Sequence, residues 1–123
     1  MDIAYSLSMD GKAKGNLGEE NAVKYLKGKG LEIIERNYQY GHGEIDIIAL
    51  LDNRLLIFVE VKVRKNDSFG NPETFVSENQ QKSIVLTADY YIHAINWQKD
   101  IRFDIIAIDE STGDFTHLED AFY

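Results

Sequence analysis

A chain of 123 residues with 44% apolar and 28% charged side chains has the size and composition of one globular domain, which excludes wholesale disorder. It has no cysteine, the stretch MDIAYSLSMDGKAKG lacks a signal-peptide pattern, and no apolar run approaches membrane-spanning length, so a soluble cytoplasmic protein is expected. The net charge of −8 opposes phosphate binding over the whole surface, but residues 1–65 hold ten basic and ten acidic residues while 66–123 hold three and eleven.

Residues 1–13 read as a flexible N-terminal segment and 14–123 as a single domain. A first helix is predicted over Lys14–Lys27, where Leu17, Val23, Tyr25 and Leu26 gather on one face and Gly28 and Gly30 supply the stop. Leu31–Tyr38 is rich in β-formers. Glu44–Leu51 and Leu55–Arg64 are stronger strands, split by the turn chemistry of Asp52-Asn53. Asn66–Thr74, with Gly70 and Pro72, reads as a loop. Ser77 followed by Gln80 fits a capping box, in which each side chain satisfies a backbone donor at the start of a second helix. Ile84, Val85, Ala88, Tyr91, Ile92 and Ile95 recur at helical spacing and give that helix an apolar face. Ile101–Asp109 is a further strand, and Ser111-Thr112-Gly113 turns into a short last one at Phe115–Leu118. The order α-β-β-β-α-β with a terminal extra strand describes an α/β domain with a mixed sheet.

The strand RLLIFVEVKVR places Glu60 and Lys62 two apart in an otherwise apolar run. Burying either charge costs several kcal/mol unless it is paired or holds a metal. By alternation, Leu55, Ile57, Val59, Val61 and Val63 share one face, and Leu56, Phe58, Glu60, Lys62 and Arg64 the other. In the preceding strand Ile45, Ile47, Ala49 and Leu51 form the apolar face, with Glu44 and Asp46 on the opposite one. A loop of three or five residues is expected, since a two-residue one would set Asp46 beside Val59; with three, Leu51 pairs with Leu55, Asp46 falls opposite Glu60 and Glu44 opposite Lys62. Two facing carboxylates repel unless something positive lies between them, and an all-oxygen site selects Mg²⁺ or Mn²⁺. Such an ion polarises a phosphodiester and activates water, with Lys62 placed to stabilise developing charge. The spacing alone leaves a second reading open: a structural Asp46–Lys62–Glu60 charge cluster at the rim of the sheet.

Asp46 followed by Glu60-x-Lys62 on the next strand, in this element order, resembles the PD-(D/E)xK nuclease superfamily with its restriction-endonuclease-like fold. More narrowly, GNLGEENAVKYLKGKG, RNYQYGHGEIDIIA, IFVEVKVR, QQKSIVLTADYYI and RFDIIAI are similar to the YraN-like family of uncharacterised bacterial proteins, predicted nucleases that resemble archaeal Holliday-junction resolvases. The resemblance implies that Asp46 and Glu60 bind metal and that Lys62 assists the chemistry. It also implies that Glu19 adds a third acid from the first helix and that Gln81 touches the metal-bound water or the phosphate. An anion early in a helix is favoured by the dipole, which gives Glu19 physical support; a surface glutamate is the plain alternative. Gln80 stands where the family often has lysine, and Tyr38-Gln39-Tyr40 where relatives are often basic, so a weakened grip on phosphate is expected.

Arg64 and Lys65 mark a solvated strand end or, beside the site, a phosphate contact. His42 reads as a loop residue, Tyr38 and Tyr40 as packing residues or base-stacking platforms, and Asp104 as a partner of Arg102. Gly15 and Gly18 are read as allowing close approach of the first helix. The expected function is a Mg²⁺- or Mn²⁺-dependent endonuclease acting on DNA, branched or damaged DNA included. Its rivals are a nucleic-acid-binding module with a vestigial site and a protein-interaction domain using the acidic C-terminal half. A homodimer, with the short final strand paired across a two-fold axis, fits the same chain.

Overall fold

A computed structural model describes residues 11–64 and 76–123, with side chains from Leu17 onward. The loop predicted at Asn66–Thr74, Lys65 and most of the N-terminal segment lie outside the described residues. The elements are α1 (Gly11–Gly28), β1 (Glu32–Tyr40), β2 (Gly43–Leu51), β3 (Leu55–Arg64), α2 (Glu78–Ala94), β4 (Asp100–Asp109) and β5 (Phe115–Leu118). All five strands form one sheet in sequence order. β1, β2 and β3 are an antiparallel meander, α2 carries the chain over to β4 parallel to β3, and β5 returns antiparallel. This is the mixed α/β sheet, with the element order α-β-β-β-α-β and a short extra C-terminal strand, that the sequence predicts. Among the described residues no helix is long and apolar enough to cross a membrane.

The central strand β3 is covered on both sides, which is why it reads as a nearly continuous apolar run. Ile57, Val59 and Val61 join Ile47, Ala49, Ile106 and Ile108 under Ala22, Val23 and Leu26 of α1. Leu56 and Phe58 join Ile48, Phe103 and Ile105 under Ile84, Ala88 and Tyr91 of α2. Each fully buried Leu, Ile or Phe contributes roughly 1.5–3 kcal/mol by leaving water. The two layers therefore hold the end of β3, where Glu60 and Lys62 sit, between two helices.

Local chemistry explains the boundaries. α1 begins at Gly11, three residues earlier than predicted, because Lys12, Ala13 and Lys14 are all good helix formers. Residues 11–13 are therefore helical. The β2–β3 loop has three residues, the shorter of the two expected lengths: Leu51 pairs with Leu55, and the Arg54 N–H donates to the Leu51 carbonyl at 3.0 Å. Asp52 and Asn53 adopt φ of 54° and 56°, the left-handed conformation that Asn and Asp tolerate best. Gly18 does permit close approach: a Cβ there would lie 2.6 Å from Val63 Cγ2. Gly43 plays the same part for α2, since a side chain would collide with Thr87 Oγ1, and this fixes the β1–β2 hairpin end against that helix.

Two expectations are corrected. The Ser77 side chain caps α2 by accepting from the Gln80 N–H at 3.1 Å, but the reciprocal half of the capping box is missing. The Gln80 side chain is drawn instead to the buried carboxylate of Glu60, a stronger, charged acceptor. Ile45 packs in the α2 layer rather than with Ile47 and Ala49 under α1, so β2 changes face between Ile45 and Ile47.

Candidate functional site

That change of face builds the site. Asn37 lies in β1 between the registered pairs Arg36↔Ile47 and Tyr38↔Ile45, opposite Asp46, and adopts φ 51°. A left-handed residue inside a strand reverses the alternation around it. Accordingly Arg36 reaches Glu20 on the α1 side at 2.7 Å, whereas Tyr38 packs edge-on against Tyr91 of α2. β2 follows its partner, and the registered ladder with β3 stops at Ile47↔Val59. Beyond that point the Asp46 side chain does the work of a backbone acceptor: its Oδ2 takes the Val61 N–H at 2.8 Å. The carboxyl thus lies at the edge between the two helical layers, with Glu19 of α1 on one side and Glu60 of β3 on the other.

Glu60, 7% exposed, faces α2. Its Oε2 accepts from Gln80 Nε2 at 2.7 Å and lies 3.3 Å from Lys62 Nζ. Burial, first, and then the negative charge of Glu60 push the Asp46 pKa up to about 8; Glu19 adds to the rise and the Val61 N–H opposes it. Burial also raises the Glu60 pKa, against the charge and hydrogen bond of Lys62. The charge of Glu60 thus favours the protonated form of Asp46. At neutral pH Asp46 therefore carries a proton, because Lys62 is the single cation beside the two carboxyls.

The structure brings Asp46, Glu60 and Lys62 together, as their spacing predicts. Glu44, exposed on β2, adds its charge to Glu60. Glu19 approaches Asp46 electrostatically, but its Oε1 accepts from Asn37 Nδ2 at 2.9 Å. With α1 starting at Gly11, Glu19 sits in mid-helix, outside the first turn where the dipole acts, and that support for it is withdrawn. Gln81 is not at the site. It is one residue, about 100° of helix, past Gln80, and its Nε2 donates to the Val76 carbonyl at 3.0 Å. Arg64 is half-buried at the end of β3, two residues beyond Lys62; Lys65 lies outside the described residues.

Two acid oxygens suit a hard divalent ion, which takes its remaining ligands from solvent when the protein supplies few. Among the described residues no group of three His, Asp or Glu side chains converges on one point, so the fit extends to a two-carboxylate site and no further. Asn37 and Gln80 are the residues that sequence reasoning missed. An Asn within a β-rich run was the available signal for a left-handed residue there.

Asp104 forms a separate cluster. Arg102 binds it through two hydrogen bonds, 2.8 and 2.9 Å long, as predicted. His117 Nε2 lies 2.8 Å away and the Asp120 N–H donates at 3.1 Å, while His117 Nδ1 meets the Tyr25 hydroxyl at 2.9 Å. Burial favours a raised pKa here too, but the bonds from His117, Arg102 and Asp120 outweigh it and hold Asp104 below the usual carboxylate range. This cluster ties β4 to β5 and to the end of α1.

The profile of the uncharacterised protein family UPF0102 matches residues 18–108, which contain the whole Asp46–Glu60–Lys62 constellation. A UPF0102 protein of Cytophaga hutchinsonii is 46% identical over 95 residues, covering 77% of this chain and 83% of the relative. One of Clostridioides difficile is 44% identical over 115 residues, 93% of this chain and 100% of the relative. Among solved structures, Pyrococcus furiosus SfsA in complex with Ca²⁺ is similar at a TM-score of 0.27 and 16% identity, over 89% of this chain and 62% of that one, too distant to carry an argument. With a match that spans both helical layers and the acids between them, the chain belongs to the uncharacterised protein family UPF0102.

Proposed function

We propose that this protein is a metal-dependent endonuclease that hydrolyses phosphodiester bonds of DNA, with branched or damaged DNA as the substrate class to test first. The observation that carries the reading is the Asp46–Glu60 pair: a half-buried and a buried carboxyl on neighbouring strands, with Lys62 Nζ 3.3 Å from Glu60 and a proton on Asp46 where a cation would fit. A bound Mg²⁺ or Mn²⁺ would supply charge to polarise the phosphoryl oxygens and lower the pKa of a water.

The chain's own residues have definable parts in this reading. Asp46, once deprotonated, would hold the ion through one oxygen, while the Val61 N–H keeps the other in place. Glu60 is held at Oε2 by Gln80 Nε2 and Lys62 Nζ, so its other oxygen would be the second ligand. Lys62, staying beside Glu60, would present its ammonium to the developing negative charge of the phosphoryl group. Glu19 contributes only by leaving Asn37. Gln81, engaged with Val76, has no part in this mechanism. The chain's acidity and the few cations near the site imply weak binding of nucleic acid.

The test is cleavage of linear, nicked and four-way-junction DNA with Mn²⁺ or Mg²⁺. Glu60→Ala and Lys62→Ala should each abolish it; full cleavage by either variant rules the mechanism out. One observation favours a second reading, a nucleic-acid-binding module with a vestigial site: no third ligand joins the pair among the described residues. Calorimetric titration separates the two, because a vestigial site takes up no ion at millimolar Mn²⁺.

A further inference from the structure

The outer face of α2 stands apart from the site. Among the described residues, Tyr40, Leu86, Tyr90, Ile95 and Tyr123 are the most exposed large apolar side chains, Leu86 at 65% and Tyr123 at 88%. All but Ile95 border two adjoining grooves on this face. One, of about 600 Å³, runs between Glu78, Lys82 and Val85 and the C-terminal Phe122 and Tyr123; the other, of about 290 Å³, is bounded by Tyr40, Tyr90 and His93. Leu86 and Asp89 belong to both. A single exposed leucine is ordinary, but apolar side chains gathered along a groove mark an interaction surface.

The charges on that face say what would cover it. Glu78, Lys82, Val85, Leu86, Asp89 and His93 fall within about 100° of arc, opposite the buried side of the helix at Ile84, Thr87, Ala88 and Tyr91. Read along α2 the stripe runs acid, base, apolar pair, acid, base. Read backwards it runs base, acid, apolar pair, base, acid, so it is complementary to itself in antiparallel order. An axis passing between Val85 and Leu86 sets each residue against its mirror position: Val85 against the partner copy's Leu86, Lys82 against the partner copy's Asp89, and Glu78 against the partner copy's His93. Within one copy Asp89 has only the neighbouring His93, at 3.5 Å and largely exposed, and Lys82 has no ion pair with any described residue. Alternating signs with two acids in the groove do not suit a polyanion.

We propose that the outer face of α2 is an isologous two-fold interface between two copies of this chain, with the helices antiparallel and the axis between Val85 and Leu86. In such an interface the same patch serves both partners, and each residue pair occurs twice. Two helices of 17 residues, about 25 Å long, pack with their axes about 8–10 Å apart. Tyr123 and Tyr40 on the flanks widen the contact beyond one helix pair, towards the ~1,200–2,000 Å² of a specific interface. The inference stands independently of the nuclease reading.

Sedimentation equilibrium on the full chain tests it. The wild type should show a concentration-dependent dimer. Lys82→Asp sets two acids against each other at both ends of the contact and should weaken the dimer by about tenfold or more. Leu86→Glu should do the same at the axis. Both side chains are exposed, so circular dichroism and thermal midpoint should be unchanged in either variant. The decisive variant is the swap Lys82→Asp with Asp89→Lys, which should restore the dimer. A wild type that stays monomeric up to about 0.5 mM overturns the proposal, since even a ~0.1 mM dimer would then be largely formed. So does a dimer indifferent to Lys82→Asp and Leu86→Glu, which would lie elsewhere, as on the free edge of β5. A swap that fails to restore association overturns the antiparallel register.

Discussion

Asp46→Asn should make the metal-free protein more stable at pH 8 and above. Asparagine replaces the carboxyl with a neutral group of the same shape, whose Oδ1 can accept the Val61 N–H as the Asp46 carboxyl does. In the wild type the Asp46 pKa rises from 3.8 in the unfolded chain to about 8 in the fold. The native state thus binds more protons than the unfolded state across that interval, and stability falls as pH rises through it. About four pKa units at ~1.4 kcal/mol each set a ceiling of about 6 kcal/mol, reached near pH 8. Water entering the ionised site relieves part of that cost, so a difference of about 2–3 kcal/mol between the variant and the wild type is expected. Urea denaturation in EDTA between about pH 5 and pH 9 measures it. The variant's advantage should be small at the acid end and grow with pH. A difference that does not change with pH, or a variant less stable than the wild type at pH 8, would refute the account of a protonated Asp46.

Because a cation binds only the deprotonated pair, Mn²⁺ affinity measured by calorimetry should fall about tenfold per pH unit below pH 8, with one proton released per ion. Lys62→Met should leave Mn²⁺ affinity within a few-fold of the wild type while abolishing cleavage, which separates the ammonium's role from that of the acids. Gly18→Val crowds Val63, where a Cβ already lies at 2.6 Å, and should destabilise by ~1–3 kcal/mol; Val63→Ala in the same chain should restore part of it in a thermal melt. Asp104→Asn leaves Arg102 and His117 facing a neutral group and should cost ~3–5 kcal/mol by urea denaturation. Since Asp104 titrates below its unfolded value, its contribution in the wild type is present above about pH 4 and disappears as pH falls through the folded pKa.

The architecture was legible because its signals are local. β3 has one residue for each helical layer in turn, α2 repeats its apolar face at helical spacing, and Asp52-Asn53 can close a hairpin only in a few ways. Parity across that hairpin was enough to bring Asp46 to Glu60, since the ladder from Leu51↔Leu55 to Ile47↔Val59 is regular. It failed one residue further on. Ile45 changes layers because Asn37, on the neighbouring strand, adopts a left-handed backbone, and a cross-strand irregularity leaves no trace in the period of β2 itself. Gln80 was hidden for a related reason. Its spacing from Ser77 fits a capping box, and only the arrival of Glu60 from the sheet, twenty positions earlier in the chain, takes its side chain away.

Three acids of this sheet, Asp104, Glu60 and Asp46, act as controls for one another. Asp104 has no exposed surface, yet its pKa is held low, because Arg102, His117 and the Asp120 N–H supply positive charge and hydrogen bonds in excess. Glu60 is buried and Asp46 half-buried, but the two share one ammonium and two neutral donors, and both pKa values rise. Burial of an acid therefore does not distinguish a brace from a site in this fold; the balance of partners does. Asp104 is neutralised by the chain itself, and a further cation would find it already occupied. The Asp46–Glu60 pair is left one positive charge short at neutral pH and makes up the deficit with a proton. A proton in that place can be exchanged for a divalent ion without unfolding anything around it, since the Val61 N–H, Gln80 and Lys62 already hold the two carboxyls in position.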